Sequence, residues 1–235
     1  MARVLVIDNG GPSPQVAHQW GNFADWFAAR LPPSVTVQRH LSTQSLPPPD
    51  ELEFDGLILS GSTHGVREDH PWAHQEAEWA LGVADRLPVL AVCFGHQLLA
   101  EVLGGRVEEN PKGPERGGIT VQLTEAGAAD PLFAGLPTRL PVHSSHRDVV
   151  VRPPSGAVLL ASTENTGWQA FSWGSRVRCV QFHPEFAPGP MAAILRSYDP
   201  AGQHFPAPHT PDLGAAVLER WAAHWLAAAD GPDAG

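Results

Sequence analysis

The sequence predicts an α/β fold in which a mostly parallel sheet is flanked by helices. Three observations support this prediction. Short apolar runs rich in Val, Leu and Ile recur along the first hundred residues, as buried parallel strands require. Helical patterns alternate with these runs, which is typical of strand–helix–strand units. The length of 235 residues, of which 43% are hydrophobic and 17% charged, favours one domain over two small ones.

The first half of the chain alternates strands and helices in order. The predicted strands cover residues 2–7, 35–38, 54–59 and 89–92. The predicted helices cover residues 15–30, 71–86 and about 95–103. Pro71 stands where a first helical position belongs, and the proline-rich residues 46–50 form a loop. The order therefore predicts consecutive parallel strands joined by crossovers.

From about Gly105 the pattern changes to short β-like pieces, which we interpret as meanders added to the same domain. They cover residues 118–123, 139–142, 148–151, 157–161, 168–173 and 177–182. A last helix is predicted over residues 213–229. We expect residues 1–227 to form a single domain and residues 228–235, which are rich in Ala, Gly, Asp and Pro, to form a flexible tail.

Composition and charge exclude several classes of function. The net charge is −10 and no run is rich in Lys or Arg, so we expect no nucleic-acid partner. No apolar run approaches the roughly 20 residues of a membrane span, so we expect no membrane partner either. The first residues lack the apolar region and cleavage site of a signal peptide, which predicts a soluble, cytoplasmic protein. In that compartment both cysteines are expected to be free thiols.

Cys93 stands at the end of an apolar strand and before a helix, where its side chain is displayed. A thiol at neutral pH is mostly protonated, so a catalytic cysteine needs a base, and that base needs an orienting carboxylate. The strand at residues 177–182 ends on His183, Pro184 and Glu185, whose spacing lets the imidazole and the carboxylate share one face. We therefore predict a catalytic triad. Cys179, inside a strand, is interpreted as a core thiol.

The motifs around these residues resemble the class I glutamine amidotransferase family. Residues 92–97 (VCFGHQ) resemble its nucleophile elbow, and residues 180–185 (VQFHPE) resemble its His/Glu motif. Further stretches agree in order and type: LILSGS at 57–62, NPKG at 110–113 and SHRDVV at 145–150. The likeness covers about residues 4–186 and is closest to the amidase region of GMP synthase and its free-standing relatives.

The resemblance implies a flavodoxin-like sheet with its site at the carboxyl ends of the strands, and hydrolysis of the glutamine side-chain amide through a γ-glutamyl thioester. It implies Cys93 as nucleophile, His183 as acid and base, and Glu185 as the orienting carboxylate. The implied oxyanion donors are the N–H groups of Phe94 and of Gly61 or Ser62. The implied substrate-binding residues are Gln97, Ser145 and His146. No cofactor is implied, and a separate synthase or other acceptor protein would take the ammonia.

Several alternatives stay open. A stand-alone γ-glutamyl peptide hydrolase would use the same triad without a partner, and a catalytically silent binding or regulatory protein could keep the same fold. A related cysteine chaperone or peptidase is disfavoured by the His-Pro-Glu sequence. A serine hydrolase is disfavoured because no G-x-S-x-G elbow is present. His64, His70 and His74 could suggest a metal site, but Pro71 separates His70 from the helix that carries His74, so no metal is expected.

Overall fold

In the computed structural model, which describes residues 1–68 and 70–226, strands and helices alternate as predicted. The strands are β1 (Ala2–Asp8), β2 (Val35–Leu41), β3 (Gly56–Leu59), β4 (Val89–Val92), β5 (Arg106–Glu109), β6 (Glu115–Leu123), β7 (Arg139–His146), β8 (Asp148–Arg152), β9 (Val158–Ser162), β10 (Ala170–Trp173) and β11 (Val177–Val180). The helices are α1 (Pro14–Trp20), α2 (Phe23–Arg30), α3 (Pro71–Val83), α4 (Phe94–Val102), α5 (Glu125–Ala129), α6 (Pro188–Tyr198) and α7 (Gly214–Trp221). Short 3₁₀ turns lie at Pro49–Glu51 and Pro131–Phe133, and a π-helical turn, Ala222–Leu226, follows α7.

The described ranges contain a nine-stranded sheet with the order β2-β1-β3-β4-β11-β10-β9-β6-β7. The strands from β2 to β11 in this order pair in parallel, and the remaining strands extend the sheet in antiparallel fashion. A separate ribbon pairs β5 with β8. The predicted fold class, a mostly parallel sheet flanked by helices with added meanders, is confirmed.

The strand period of two divides the core between the two faces of the sheet. Along β1, Val4 and Val6 pack on one face with Phe27 of α2 and Trp221 of α7. The alternate residues of β1 pack on the other face, with the alanines of α3 and the leucines of α4. Apolar residues on both faces explain the uninterrupted hydrophobic runs that identified the parallel strands.

Parallel register brings three strand ends together. Leu59 of β3 pairs with Ala91 of β4, and Val180 of β11 pairs with Val92 of β4. The residues that follow these strands therefore lie side by side at the carboxyl edge of the sheet, which is where open α/β sheets bind ligands. A bridge between His143 of β7 and His183 brings the antiparallel strands back to the same edge.

The structure corrects the sequence predictions at several elements. The single helix expected over residues 15–30 is two helices, because Gly21 has a φ of 81° and Asn22 caps α2 in a reciprocal capping box with Asp25. Helices α5 and α6 and the strand β5 were missed. The last helix begins at Gly214 and changes to a π-helical turn at Ala222; its predicted end and the tail at residues 228–235 lie outside the described residues.

No helix within the two described stretches has the length and hydropathy needed to cross a membrane.

Candidate active site

Cys93 lies in the tight turn that joins β4 to α4. Its φ of 51° makes it the one non-glycine residue with a positive φ in residues 1–68 and 70–226. Such a conformation costs on the order of 1–3 kcal/mol and needs support from its surroundings. That support comes from both sides, because the Cys93 N–H donates to the Val180 carbonyl (2.8 Å) and the Cys93 carbonyl accepts from the Gln97 N–H (3.0 Å). The strained turn directs the thiol out of the sheet edge.

Gly95 allows β3 to approach this turn. A β-carbon at Gly95 would lie 2.8 Å from the carbonyl oxygen of Leu59, which is closer than real β-carbons come. The Gly95 N–H donates to the Ser60 carbonyl (3.3 Å), so the end of β3 is fixed against the start of α4. This contact explains the Cys-x-Gly spacing of the motif: the glycine serves close packing, and the cysteine lies beside residues 60–62, the β3 turn.

His183 and Glu185 form a buried pair beside the thiol. Nδ1 of His183 lies 2.7 Å from Oε1 of Glu185, and both side chains are almost fully buried. The ring of Phe186 stacks on the imidazole, with 3.8 Å between ring centroids and 9° between planes. The His183 N–H donates to the His143 carbonyl (2.8 Å). The imidazole is thus fixed by a carboxylate, an aromatic face and its own backbone.

Electrostatics favour a charged His183. Burial opposes charge on this imidazole, but the Glu185 carboxylate and the Cys93 sulfur together raise the pKa of His183 above its ordinary value. A protonated imidazole in turn stabilises a thiolate. An arrangement of thiol, imidazole and carboxylate of this kind can supply a nucleophile and carry a proton to a leaving group.

Gly61 of the β3 turn lies close to both His183 and Cys93. A β-carbon there would lie 2.8 Å from Cε1 of His183 and 3.6 Å from the Cys93 β-carbon. The Gly61 N–H makes no hydrogen bond to any of residues 1–68 or 70–226. Phe94, the first residue of α4, has an N–H with no acceptor inside its helix. Two free donors next to one thiol can stabilise negative charge that develops on a nearby oxygen.

Two residues that sequence reasoning missed support the β3 turn from beneath. The Asn9 side chain donates to the Ser60 carbonyl (3.2 Å) and to Oε1 of Glu76 (3.1 Å), and both residues are fully buried. Burial raises the pKa of Glu76 to about 8, so this carboxyl is mostly neutral at pH 7. Two features of the sequence could have identified them: Asn9 is a polar residue at the end of β1, and Glu76 is an acid on the apolar face of α3.

A cavity of about 300 Å³ opens over the thiol. Of the residues predicted from sequence, those that line it are Cys93, His183, Ser62, Phe94, Gln97, Ser145 and His146. Gly61 and Glu185 lie behind this lining and contact it as described above. The structure therefore brings every predicted site residue to one place.

The predicted substrate-binding residues are held by neighbours. The Gln97 amide donates to the Asp148 carbonyl (2.7 Å) and to Oε1 of Gln181 (3.0 Å). The His146 ring contacts Oε2 of Glu115 at 3.0 Å and the Asp148 carbonyl at 3.1 Å. Glu115 is buried, which favours the neutral acid, but hydrogen bonds led by that of His146 hold its pKa below the ordinary value. The His146 ring is thus engaged by the protein itself.

The cavity also contains groups that sequence reasoning did not single out. Arg116 of β6 and Tyr198 of α6 line it on one side. At its mouth, His64, Glu68 and His70 place donor atoms within 4.8 Å of one another. The sequence groups His74 with these histidines, but the third member of this cluster is Glu68, while His74 lies on α3. Residues so arranged could hold a metal ion.

Comparisons with known proteins agree with this geometry. The family model described as "Glutamine amidotransferase class-I" matches residues 29–198. The chain is 32% identical to a subunit of the glutamine-hydrolyzing GMP synthase of Halobacterium salinarum over 188 residues, which are 80% of this chain and 91% of that protein. It is 42% identical to GMP synthase (glutamine-hydrolyzing) of Aeropyrum pernix over 77% of this chain, but it spans only 32% of that protein.

The solved structure of a glutamine amidotransferase from Thermotoga maritima superposes with a TM-score of 0.75 at 22% identity, covering 96% of this chain and 98% of that chain. This likeness concerns the fold. The length of the family match and the identity to a relative of nearly the same size carry the assignment. This chain belongs to the class I glutamine amidotransferase family of enzymes.

Proposed function

We propose that this protein hydrolyses the side-chain amide of glutamine through a triad of Cys93, His183 and Glu185. The observation that carries the proposal is the elbow itself. A cysteine held at φ 51° lies against an imidazole whose Nδ1 contacts a buried carboxylate at 2.7 Å. A purely structural cysteine needs neither the strained turn nor the charged pair.

In the proposed reaction the Cys93 thiolate attacks the γ-carbonyl carbon of glutamine. The oxygen becomes an oxyanion that accepts hydrogen bonds from the N–H groups of Phe94 and of Gly61 or Ser62. His183 donates its proton to the amide nitrogen, the C–N bond breaks, and ammonia leaves. Cys93 then carries the γ-glutamyl group as a thioester. Water then attacks the thioester as His183 takes its proton, and the C–S bond breaks, which releases glutamate and restores the Cys93 thiolate beside a protonated His183.

Substrate binding is assigned to the lining residues beyond the thiol. Gln97 would meet the glutamyl group, and the backbone around Ser145 and His146 would hold the α-amino and carboxylate ends. The engagement of the His146 ring by Glu115 supports a backbone role for this segment, because the ring is committed elsewhere. We also propose that residues 1–227 act as one domain, which the continuous sheet from β1 to β11 supports.

We propose a separate synthase as the acceptor of ammonia. The similarity to a protein whose name makes it one subunit of a GMP synthase, and which this chain nearly matches in length, supports this view. A second candidate, hydrolysis of γ-glutamyl peptides, is favoured by 32% identity to γ-glutamyl peptidase 3 of Arabidopsis thaliana over 59% of this chain.

Release of glutamate from L-glutamine and from a γ-glutamyl dipeptide, measured with the purified protein, tests these proposals. Slow glutamine hydrolysis that rises when a synthase from the source cell is added supports the amidotransferase, because docking would order the β3 turn. Fast hydrolysis of the dipeptide, unchanged by cell extract, supports the peptidase. Absence of both reactions with extract present would contradict the proposed chemistry.

A further inference from the structure

Arg116 is a cation in the cavity wall that has no anion of its own. Its Nε is buried and lacks a hydrogen-bond partner in the part of the chain that the structure describes. Nor does its guanidinium form an ion pair with a carboxylate of those residues. The acids that line the same cavity have other partners: Glu68 contacts His70 at 3.1 Å, and Asp148 contacts Arg67 at 3.0 Å.

Aromatic rings hold the guanidinium in place. Its central carbon lies 4.2 Å from the ring centroid of Tyr198 and 5.4 Å from that of Phe205. A guanidinium that stacks on aromatic rings keeps its N–H edge available for a bidentate contact with a carboxylate. A side chain placed in this way is ordered before a ligand binds, so less conformational entropy is lost on binding.

The segment that carries Phe205 is tied firmly to β6. The Gly118 N–H donates to the Ala207 carbonyl (3.2 Å), and a β-carbon at Gly117 would clash with the Pro206 carbonyl oxygen. Asp199 accepts from the His204 N–H at 2.7 Å and from the Phe205 N–H at 3.3 Å. The aromatic support of Arg116 is therefore built into the fold.

The location of Arg116 indicates its ligand. In the β6–β7 ladder it pairs directly with Ser145, and directly opposed residues project to the same face of a sheet. Ser145 belongs to the segment assigned above to the α-amino and carboxylate ends of the substrate. We propose that Arg116 binds a carboxylate of the substrate and so selects anionic γ-glutamyl compounds, an inference that rests on the proposed function.

Two carboxylates share this chemistry: the α-carboxylate of the glutamyl group, and the terminal carboxylate of a γ-glutamyl peptide. The first arm of the test measures alkylation of Cys93 by a diazo-ketone analogue of glutamine and by the same reagent without its α-carboxylate, followed by mass spectrometry. The second arm measures how well a γ-glutamyl dipeptide, and its C-terminal amide, protect Cys93 from alkylation. Neither arm needs a synthase partner.

If the α-carboxylate is the ligand, its loss should slow labelling of the unmodified protein roughly 10–100-fold. Arg116→Met should then label slowly with both reagents and no longer distinguish them. Arg116→Lys should keep part of the preference, because an ammonium is a point charge without the planar fork. If the peptide carboxylate is the ligand, the dipeptide should protect Cys93 of the unmodified protein better than its C-terminal amide does. Arg116→Met should lose this difference.

Arg196→Met is the matched control, since Arg196 is an exposed arginine of α6 outside the cavity lining, and it should keep the full preference. Iodoacetamide, which carries no carboxylate, should label Arg116→Met and the unmodified protein at equal rates. Slower labelling of Arg116→Met by iodoacetamide would indicate a structural defect and overturn the proposal. The proposal would also be overturned if the unmodified protein showed no preference for the carboxylate in either arm, or if Arg116→Met kept that preference.

The proposed function and the role of Arg116 can fail independently of each other. Failure of every reagent to label Cys93 would count against that residue as the nucleophile. Binding of L-glutamine and of its decarboxylated analogue, measured by calorimetry on the unmodified protein and on Arg116→Met, would then still decide the role of Arg116.

Discussion

The two cysteines of this chain are both free and buried, but Cys179 lies within a strand and Cys93 lies in the turn that follows the neighbouring strand. Cys179 lies inside β11, paired in register with Ala91 of β4, and it is fully buried. Cys93 follows the end of β4, with 6% of its surface exposed to a cavity. Burial raises the pKa of Cys179 and keeps it a neutral thiol.

The same comparison extends to other buried ionisable groups. Glu76 lies beneath the sheet edge with only an amide for a partner, so burial favours its neutral form. His183 is equally buried, but it faces Glu185 and the Cys93 sulfur, and there the charged form wins. Burial alone favours the neutral form of an ionisable group, whereas burial beside an opposite charge can favour the charged form. The pair of His183 and Glu185 at the carboxyl edge of the sheet is an example of the second case.

The largest expected effect separates the two cysteines. Cys93→Ala should abolish glutamine hydrolysis, lowering turnover by roughly 10⁴-fold or more, because no other group can form the thioester. Cys179→Ala removes one buried sulfur and should leave turnover within about threefold, with some loss of stability. Turnover is measured as glutamate release. Equal activity of Cys93→Ala and the unmodified protein would show that Cys93 is not the nucleophile.

The next effect tests the charged pair. His183→Ala should slow acylation by roughly 10²–10⁴-fold with little change in substrate affinity, because a proton carrier acts in the transition state. Glu185→Gln should have a smaller effect, since an amide still orients the ring but carries no charge. Single-turnover kinetics separate acylation from binding. An unchanged acylation rate in His183→Ala would exclude it from the mechanism.

A third prediction uses two glycines of opposite surroundings. In Gly61→Ala the new methyl group would lie 2.8 Å from the His183 ring, so the triad must shift and turnover should fall by about 10²-fold. Gly82→Ala, in α3 with nothing within 4 Å of the added carbon, should keep full activity. It should raise the free energy of unfolding by about 0.5–1 kcal/mol. Equal activities of the two variants would show that the turn tolerates displacement.

The smallest effect concerns Glu76 and the dependence of stability on pH. Its pKa is raised to about 8 in the folded protein, so the folded state holds this proton above the pH at which the unfolded chain loses it. The stability contribution is complete below the unfolded pKa of 4.5 and is lost as pH rises towards 8, by up to about 1.4 kcal/mol per pH unit. In Glu76→Gln this part of the slope should disappear. Denaturant unfolding from pH 5 to 8 measures it, and identical slopes would contradict the prediction.

Much of the fold and of the candidate site follows from local sequence patterns. Apolar runs identified the parallel strands because both faces of such strands are buried. The motifs around Cys93 and His183 identified the family and the residues expected to act, since a thiol at a strand end and a His-x-Glu pair are local features. The family membership and fold class are confirmed, while the catalytic roles remain predictions.

Other features depend on contacts between residues far apart in the chain. The break between α1 and α2 is the exception: its signal, the capping box of Asn22 and Asp25, is local, but it was missed because the helical pattern runs through it. Asn9 and Glu76 are 67 residues apart, and neither belongs to a motif, so only the packing of α3 against the end of β1 shows that they support the β3 turn.

The sequence by itself therefore determined the type of sheet and the family, and it predicted the role of the thiol, because each depends on short stretches with a fixed spacing. Only the tertiary structure decided which buried groups are charged and which residues line the cavity. The pKa of His183 depends on its burial, on Glu185 and also on Cys93, which is 90 residues away in the chain. The freedom of Arg116 depends on which carboxylates the fold leaves within its reach. Such distances are set by packing across the whole sheet, and no local pattern contains them.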